Sequence, residues 1–303
     1  MRSVNYKLDF IGRRKLFLLI SAIAIGVGII SLFVQGLNLG IDFVSGSRLD
    51  IYIGKEFQLD KAKEELEKLG YNNPNARMAG NENELLIFRT PETISKEQVG
   101  EIRNHFQKVY GEQVSVQEQT VSPIVGRELA RNAIIATLIA SLGIIIYVAI
   151  RFEYRFAISG IIALLHDVLI TVGVFSIFQW EVDIVFIAAI LTIVGYSVND
   201  TIVVFDRIRE NLKFKNPKTW EELSQLVNES IQQTIVRSLN TLTTILFGIV
   251  ALIIFGGESI RYFSITLLIG LLAGTYSSIF MASSLWIGWK WRSMERAKTK
   301  ESS

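Results

Sequence analysis

Repeated apolar blocks decide the fold, and residues 184–205 are a typical one: they read IVFIAAILTIVGYSVNDTIVVF. A helix rises 1.5 Å per residue, so a block of this length reaches across about 30 Å of hydrocarbon. Charged residues, Asp183 and Asp206, stand at its two ends. The pattern predicts a membrane-spanning helix that carries one acidic residue, Asp200, within it.

Five further blocks have a similar length and composition, which gives six predicted spans: 16–37, 133–150, 156–178, 184–205, 235–255 and 262–287. The 303 residues are 50% hydrophobic, with a mean hydropathy of +0.36. This is too apolar for a soluble enzyme, so we expect a polytopic α-helical membrane protein. The chain has no cysteine, which excludes disulfides and cysteine metal sites.

The basic residues predict the orientation of the spans. One set of short connections and the C-terminal tail are rich in them, namely Arg151, Arg155, Arg207, Arg209, Lys213, Lys215, Lys218 and the run from Lys290 to Lys300. The opposite connections are depleted, so the positive-inside rule places both termini in the cytoplasm. The net charge of +2 and this placement in loops argue against a nucleic-acid partner.

Residues 38–132 are too polar for the membrane and too long for a loop, so they predict a folded extracytoplasmic domain. Alternating and helical patterns follow each other in the order β-α-β-β-α-β, with Ser95 as the cap of the second helix. The predicted elements are 48–53, 59–69, 75–79, 84–89, 95–110 and 114–120. This order is that of a ferredoxin-like α+β domain between the first and second spans.

The remaining segments complete the predicted organisation: a cytoplasmic N-terminus at 1–15, a cytoplasmic loop at about 206–234 and a basic tail at 288–303. Within the loop, Thr219 caps a predicted short amphipathic helix along the inner membrane surface. In the last span, Gly270, Gly274 and Ser278 form a small-residue seam that predicts close helix packing.

Ionisable residues inside the predicted spans are the candidate functional groups, because a charge at the bilayer centre costs about 2.5 to 3.5 kcal/mol. Asp200 and Arg237 lie at similar depths on neighbouring antiparallel spans and are predicted to pair. The fifth span carries one polar stripe at helical spacing, which consists of Arg237, Asn240, Thr241, Thr244 and Gly248. We expect this stripe to face Asp200 and to form a proton path, and a structural ion pair is the alternative interpretation.

Weaker candidates for the path or for its structural support are His166, Asp167, Asn199, Thr201, Asn240, Thr241 and Thr244. His166 and Asp167 are adjacent and therefore point about 100° apart on a helix, so at most one of them faces the path. A lone histidine without a second histidine or cysteine nearby gives no metal site. No phosphate-binding loop and no catalytic triad is recognisable, so we expect no enzymatic activity, no metal and no bound cofactor.

Four motifs resemble one family of bacterial protein-export membrane proteins. They are VGYSVNDTIVVFDRIRE at 194–210, ALLHDV at 163–168, RSLNTLTT at 237–244 and GIDF at 40–43. The chain resembles the SecF members of the SecD/SecF family, in the resistance-nodulation-division superfamily, over nearly its whole length. The resemblance implies six spans, a ferredoxin-like outer domain, and roles in proton movement for Asp200 and Arg237.

One position departs from the family pattern, in which an aspartate, two residues and two glycines follow the first span. Asp42 and Gly46 match the pattern, but Ser45 stands in place of the first glycine. Because that glycine usually supplies a positive φ angle, Ser45 either adopts an ordinary backbone conformation or is strained.

The family resemblance also implies a function and partners. It implies a complex with SecD that works beside the SecYEG channel, with YajC as a further partner, in the cytoplasmic membrane. Proton flow would drive the outer domains to pull unfolded preproteins across, with the proton as coupling ion. Our hypothesis for this step is that protonation of Asp200 weakens its attraction to Arg237. The rival hypotheses are a proton-coupled exporter of small molecules and a non-conducting scaffold of the translocon.

Overall fold

Six long helices form a bundle with a small α+β domain at one end in this computed structural model, which describes residues 9–80 and 82–301. The helices of the bundle are α1 (Arg14–Gln35), α5 (Pro123–Arg151), α6 (Tyr154–Phe178), α7 (Ile184–Phe214) and α8 (Trp220–Phe255), followed by α9 (Glu258–Tyr276), a π-helical segment (Ser277–Ala282) and α10 (Ser283–Glu301). The last three run on as one apolar span. The prediction of six spanning helices is confirmed.

The domain between the first two spans has the predicted order of elements. Its strands are β2 (Gly46–Tyr52), β3 (Asn75–Ala79), β4 (Leu85–Thr90) and β5 (Ser115–Val121), and its helices are α3 (Leu59–Lys68) and α4 (Lys96–Tyr110). The sheet has the order β3-β4-β2-β5 with antiparallel neighbours, which is the ferredoxin-like arrangement. Its core contains the fully buried side chains Leu49, Ile51, Leu66, Phe88 and Phe106.

Ser95 begins α4 as predicted, because its hydroxyl accepts a hydrogen bond from the Gln98 backbone N–H, and the Gln98 side chain in turn accepts one from the Ser95 N–H. This reciprocal pair satisfies two backbone donors that a helix start otherwise leaves without partners.

Two predicted boundaries are wrong. The domain was expected to extend to Asn132, but α5 begins at Pro123, where the Ser122 hydroxyl caps the helix and proline takes its first position. The loop expected at 206–234 is mostly helical, since α7 continues to Phe214 and α8 begins at Trp220. The terminal segments predicted at 1–15 and 288–303 extend beyond the described residues.

The predicted amphipathic helix is the first part of α8, not a separate helix on the membrane surface. Thr219 caps it as expected, through the backbone N–H of Glu222. Its apolar stripe, which consists of Leu223, Leu226, Val227 and Ile231, is buried in the same cluster as Phe205, Ile208 and Trp286. This part of α8 is amphipathic because its apolar stripe packs on neighbouring helices.

A second, two-stranded sheet joins the domain to the bundle. Its strands are β1 (Asn38–Leu39), just after α1, and β6 (Glu181–Val182), just before α7, and they pair in parallel. A short helix, α2 (Ile41–Val44), follows β1 and leads into β2. The start of the domain is therefore hydrogen-bonded to the start of α7, the helix that carries Asp200.

Candidate functional site

Close packing of α9 against α7 forms the centre of the candidate site. A Cβ atom added to Gly270 would lie 2.2 Å from Cδ1 of Ile193, and one added to Gly274 would lie 3.1 Å from Cβ of Ser197. Ser278, the third member of the seam, shares a hydrogen bond of 2.8 Å with the hydroxyl of Thr201. The predicted seam is confirmed as a helix-packing surface.

Asp200 lies on α7 beside this contact and is half-buried. Its Oδ2 atom accepts one long hydrogen bond, 3.4 Å from the Thr275 hydroxyl of α9. A cavity of about 20 Å³ adjoins the carboxylate, between α7, α8 and α9, and is lined by Tyr196, Ser197, Asn199, Asp200, Thr241, Leu242, Ile245, Gly270, Leu271, Gly274 and Thr275. Since one water needs about 10–15 Å³ of such volume, the cavity has room for a water molecule against Asp200.

Asp200 and Arg237 form no salt bridge, although the charge of Arg237 acts on the Asp200 carboxylate and the Ser238 side chain lies near it. Arg237 is exposed, and no carboxylate of the described residues lies within salt-bridge distance of it. The cause is the rotation of α8 about its axis. Ser238 and Ile249 are buried and face the bundle, so Arg237, Asn240, Thr241, Thr244 and Gly248 lie on the outer side of the helix.

The polar stripe of α8 therefore exists as predicted but points away from most of the bundle. The Thr241 hydroxyl donates to the Arg237 carbonyl at 3.0 Å, and the Thr244 hydroxyl donates to the Asn240 carbonyl at 2.9 Å. Of the five stripe residues, only Thr241 also lines the cavity beside Asp200. A row of polar side chains that is uncovered within an apolar span is unfavourable in lipid, so this face favours contact with another protein subunit.

Asp167 on α6 has a very different environment, because it is 1% exposed. Its Oδ2 atom accepts hydrogen bonds from the Ser197 hydroxyl at 2.5 Å and the Ser277 hydroxyl at 2.9 Å, and its Oδ1 atom lies 2.9 Å from Nδ1 of His166. The imidazole of His166 stacks on the ring of Tyr276. Asp167 thus ties α6 to α7 and to the start of the π-helical segment.

Several of these contacts were not predicted. Ser197 was predicted only as part of the polar segment around Asp200, and Thr275 and Ser277 were not candidates, although all three supply hydroxyls around the two acids. Ser278 belonged to the small-residue seam, and its spacing from Gly274 was the only signal in this region. Thr201 is buried against Ser278, whereas Asn199 is exposed and borders the cavity. Among the residues described, no three His, Asp or Glu side chains come together as metal ligands.

The family turn connects α7 to the domain. Oδ2 of Asp42 accepts a hydrogen bond of 3.0 Å from the backbone N–H of Ile184, the first residue of α7. Gly46 has a φ of +118°, and a Cβ atom there would lie 2.2 Å from the Thr90 carbonyl oxygen, so only glycine fits. Ser45 has a φ of 63° and a ψ of 172°. Ser45 is therefore strained, because residues other than glycine rarely adopt this combination of φ and ψ angles.

Charged residues reinforce the same connection. The Glu181 carboxylate is buried and accepts hydrogen bonds from Arg48 at 3.3 Å and from Arg89 at 2.5 Å. These bonds link β6, at the end of the bundle, to β2 and β4 of the domain. Asp183 caps α7 through the backbone N–H of Phe186, at 2.7 Å. Burial raises the pKa of Asp183, and the nearby charge of Asp42 adds to this shift. The start of α7 is therefore joined to the domain by hydrogen bonds and ion pairs.

Comparison with known families identifies two matching regions. Residues 101–292 match the family described as "Protein export membrane protein SecD/SecF, C-terminal", and residues 30–51 match the "SecD/SecF GG Motif". The second match contains Asp42, Ser45 and Gly46, the residues of the turn that caps α7.

Individual proteins are similar over almost the whole chain. A protein translocase subunit SecF of Alicyclobacillus acidocaldarius is 41% identical over 96% of this chain and 96% of its own. A protein translocase subunit SecDF of Bacillus subtilis is 46% identical over 96% of this chain, which spans only 39% of that longer protein. The crystal structure of SecDF from Thermus thermophilus, described as a translocon-associated membrane protein, is 34% identical, with a TM-score of 0.86 over 96% of this chain and 40% of that one.

Proposed function

Because this chain belongs to the SecD/SecF family, as one of its SecF members, we propose that it uses the proton motive force with SecD to promote preprotein translocation across the cytoplasmic membrane. The observation that supports this most directly is the environment of Asp200. It is an acid within a span, with one long hydrogen bond and room for a water beside it. Such a group can gain and lose a proton with little change in its contacts.

The helix that carries Asp200 supports a route from this site to the outer domain. The α7 helix is unbroken from Ile184 to Phe214, and its first residue is held by Asp42 of the turn that leads into β2. A shift of α7 would therefore move the turn and the strand together. One proton that crosses 100 mV supplies about 2.3 kcal/mol, which changes the ratio of two conformations about 50-fold.

The partner in this proposal is SecD, because relatives such as the Bacillus subtilis SecDF protein are longer chains of which this chain matches one part. The exposed stripe of α8 is the surface where we place SecD, since a covering subunit would shield Arg237, Asn240 and Thr244 from lipid. This differs from the predicted mechanism, because Arg237 forms no salt bridge with Asp200 and would form one with an acidic group of SecD across that interface. We extend the proposal to the SecYEG channel and YajC as neighbours, with unfolded preprotein at the outer domain and both termini in the cytoplasm.

The test is preprotein translocation in vesicles that contain this chain and SecD, with the proton gradient established and then collapsed. We expect Asp200→Asn to abolish the part of translocation that depends on the gradient. The matched control is Asp206→Asn, on the same helix, where the carboxylate is paired with Arg151 and Arg209 at the surface. That variant should keep the gradient dependence, because exposed pairs contribute at most about 1 kcal/mol.

A pull-down of SecD with the Asp200→Asn chain separates proton coupling from scaffolding. Loss of gradient dependence with SecD still bound supports a coupling role for Asp200. If the variant keeps its gradient dependence, Asp200 is not the coupling group and the proposal is wrong. If the variant loses SecD as well, the acid serves assembly and the scaffold hypothesis is favoured.

A further inference from the structure

A cavity of about 500 Å³ lies at the end of the bundle opposite the α+β domain, between the start of α6 and the last turns of α10. We name it the arginine cavity, after the three arginines among its lining residues: Arg155, Arg292 and Arg296. Tyr154, Ile158 and Trp289 supply apolar surface to the same cavity. Asp200 does not line it, and it has no role in the proposed proton step.

The positive charge of this cavity is largely uncompensated. Arg155 forms an ion pair with Glu153, and its Nη2 atom donates to the Ser293 hydroxyl at 2.8 Å. Arg292 and Arg296 are exposed, and neither forms an ion pair with a described residue, Glu295 included. Two guanidinium groups one helical turn apart repel each other unless an anion lies between or beside them.

A fourth arginine increases this repulsion. Arg14, at the start of α1, has a buried Nη1 atom without a hydrogen-bond partner, and the charge of Arg292 acts on it unfavourably. Its guanidinium lies 4.2 Å from the ring centre of Trp220, so one of its faces is covered by an aromatic ring. A bound anion near Arg292 would relieve the repulsion between these arginines.

Polarity within the cavity changes along the direction of the helices. On α10, Trp289 is nearest the middle of the bundle, followed outward by Arg292 and Arg296, about 10 Å in all at 1.5 Å per residue. On α6, Arg155 lies at the outer end, and Ile158 lies one turn deeper with 44% of its surface exposed. The cationic part therefore lies outermost and the apolar part lies toward the bilayer centre.

From this arrangement we infer that the arginine cavity binds the headgroup of an anionic phospholipid. The phosphodiester would lie against Arg292 and Arg296, and the first acyl carbons would pack on Ile158 and Trp289. Arginine suits this ligand because its planar guanidinium group can donate two hydrogen bonds to one phosphate. A soluble phosphate would satisfy the arginines but would leave the exposed apolar floor without a partner.

The test is native mass spectrometry of the full chain, purified in detergent and mixed with equal amounts of phosphatidylglycerol and phosphatidylcholine. Each basic residue near a membrane surface contributes about fivefold to the binding of an anionic lipid. We therefore expect the double variant Arg292→Gln/Arg296→Gln to lose about 25-fold in its preference for phosphatidylglycerol. The double variant Arg292→Lys/Arg296→Lys, which keeps both charges, should retain most of the preference.

The control variant is Lys213→Gln/Lys290→Gln, which removes two charges from the same end of the bundle but none from the cavity. Equal retention of the two lipids by the wild-type chain would overturn the inference. So would an equal loss of preference in the control, since binding would then follow the total charge. Displacement of phosphatidylglycerol by millimolar inorganic phosphate would identify a site for free phosphate and would also overturn it.

Discussion

Asp167 and Asp200 are both acids within apolar helices, yet their surroundings differ in almost every respect. Asp167 is 1% exposed and lies within 2.9 Å of three hydrogen-bonding groups, from His166, Ser197 and Ser277. Asp200 is half-buried and has one hydrogen bond of 3.4 Å beside a water-sized cavity. The two sites lie close together, because Ser197 borders both of them.

The comparison shows why one acid suits a structural role and the other a chemical one. Protonation of Asp167 would weaken three charge-assisted contacts, each worth about 1.5–3 kcal/mol, and two of them join α6 to α7 and to the π-helical segment. Protonation of Asp200 would weaken one long hydrogen bond and the interaction with the charge of Arg237, and neither is a salt bridge. A site that must change charge in every cycle is best built where few contacts depend on the charge.

The largest expected effect is on stability, and it should separate the two acids. Asp167→Ala leaves the Ser197 hydroxyl and the His166 imidazole without their acceptor, and it leaves the Ser277 hydroxyl with the Gly274 carbonyl alone. We expect the free energy of unfolding to fall by about 3 kcal/mol or more, since each unsatisfied buried group costs about 1–3 kcal/mol. Asp200→Ala should lower it by less than about 1 kcal/mol.

The measurement is denaturant-induced unfolding of the full chain in detergent micelles. Asp206→Ala is the control, because this acid lies on the surface of α7. Equal losses for Asp167→Ala and Asp200→Ala would contradict the distinction between a structural and a chemical acid.

The second effect concerns the packing of α9 against α7, which lies beside both acids. A methyl group at Gly270 would overlap the Ile193 side chain, which is fully buried, so Gly270→Ala must displace that side chain or push α9 away from α7. We expect a loss of about 1–3 kcal/mol from this overpacking. Gly248→Ala on α8 is the matched control, since nothing lies within 4 Å of the added Cβ atom.

Because alanine favours the helix over glycine by about 1 kcal/mol, Gly248→Ala should be neutral or stabilising. The same unfolding assay compares the two variants. A neutral Gly270→Ala would mean that α7 and α9 can separate without cost, and the difference between the two acids would then have another cause.

Local patterns in the sequence were sufficient for much of the fold. The outer domain was predictable because strand alternation and helical spacing depend on neighbouring residues, and Ser95 and Thr219 were predicted as caps on the same basis. Spans were predictable from length and apolarity. The seam at Gly270 and Gly274 was predictable because small residues four apart allow close helix contact.

The candidate site was harder to predict, for a physical reason. A polar stripe shows that side chains share one face of α8, but not which neighbour that face meets, so the sequence did not show that Arg237 forms no salt bridge with Asp200. The donors of Asp167 were also not predictable, because serine in a helix commonly bonds to its own backbone. The contact between Asp42 and Ile184 joins residues 142 positions apart, which no local pattern reports.

A smaller effect is expected at the turn that anchors α7. Ser45 has a φ of 63°, in a region that glycine adopts without strain, so Ser45→Gly should relieve strain. We expect the free energy of unfolding to rise by about 1 kcal/mol. The substitution should leave the contact between Asp42 and α7 in place. Ser45→Ala is the control and should show no gain, because alanine carries the same Cβ atom. A gain in both variants would assign the effect to the lost hydroxyl.

The smallest effect concerns the pH dependence of stability. The titration of Asp183 contributes to this dependence and would otherwise obscure the comparison of Asp167 with Asp200. Burial raises the pKa of Asp183, the Phe186 N–H opposes this shift, and the charge of Asp42 adds to it. The unfolded chain loses this proton near the ordinary pKa of about 3.9, before the folded chain does. Stability should therefore fall as the pH rises from that value through the raised pKa of the folded state.

Asp183→Asn should remove this part of the pH dependence and keep the helix start, since asparagine also caps helices. Unfolding measured from pH 4 to 8 checks it, with Asp206→Asn as a variant that should retain the wild-type shape. An unchanged curve in Asp183→Asn would show that other acids govern stability in this range. If the curve flattens, the pH dependence that remains in Asp183→Asn comes from other titrating groups. The double variant Asp183→Asn/Asp200→Asn then tests whether Asp200 is one of those groups.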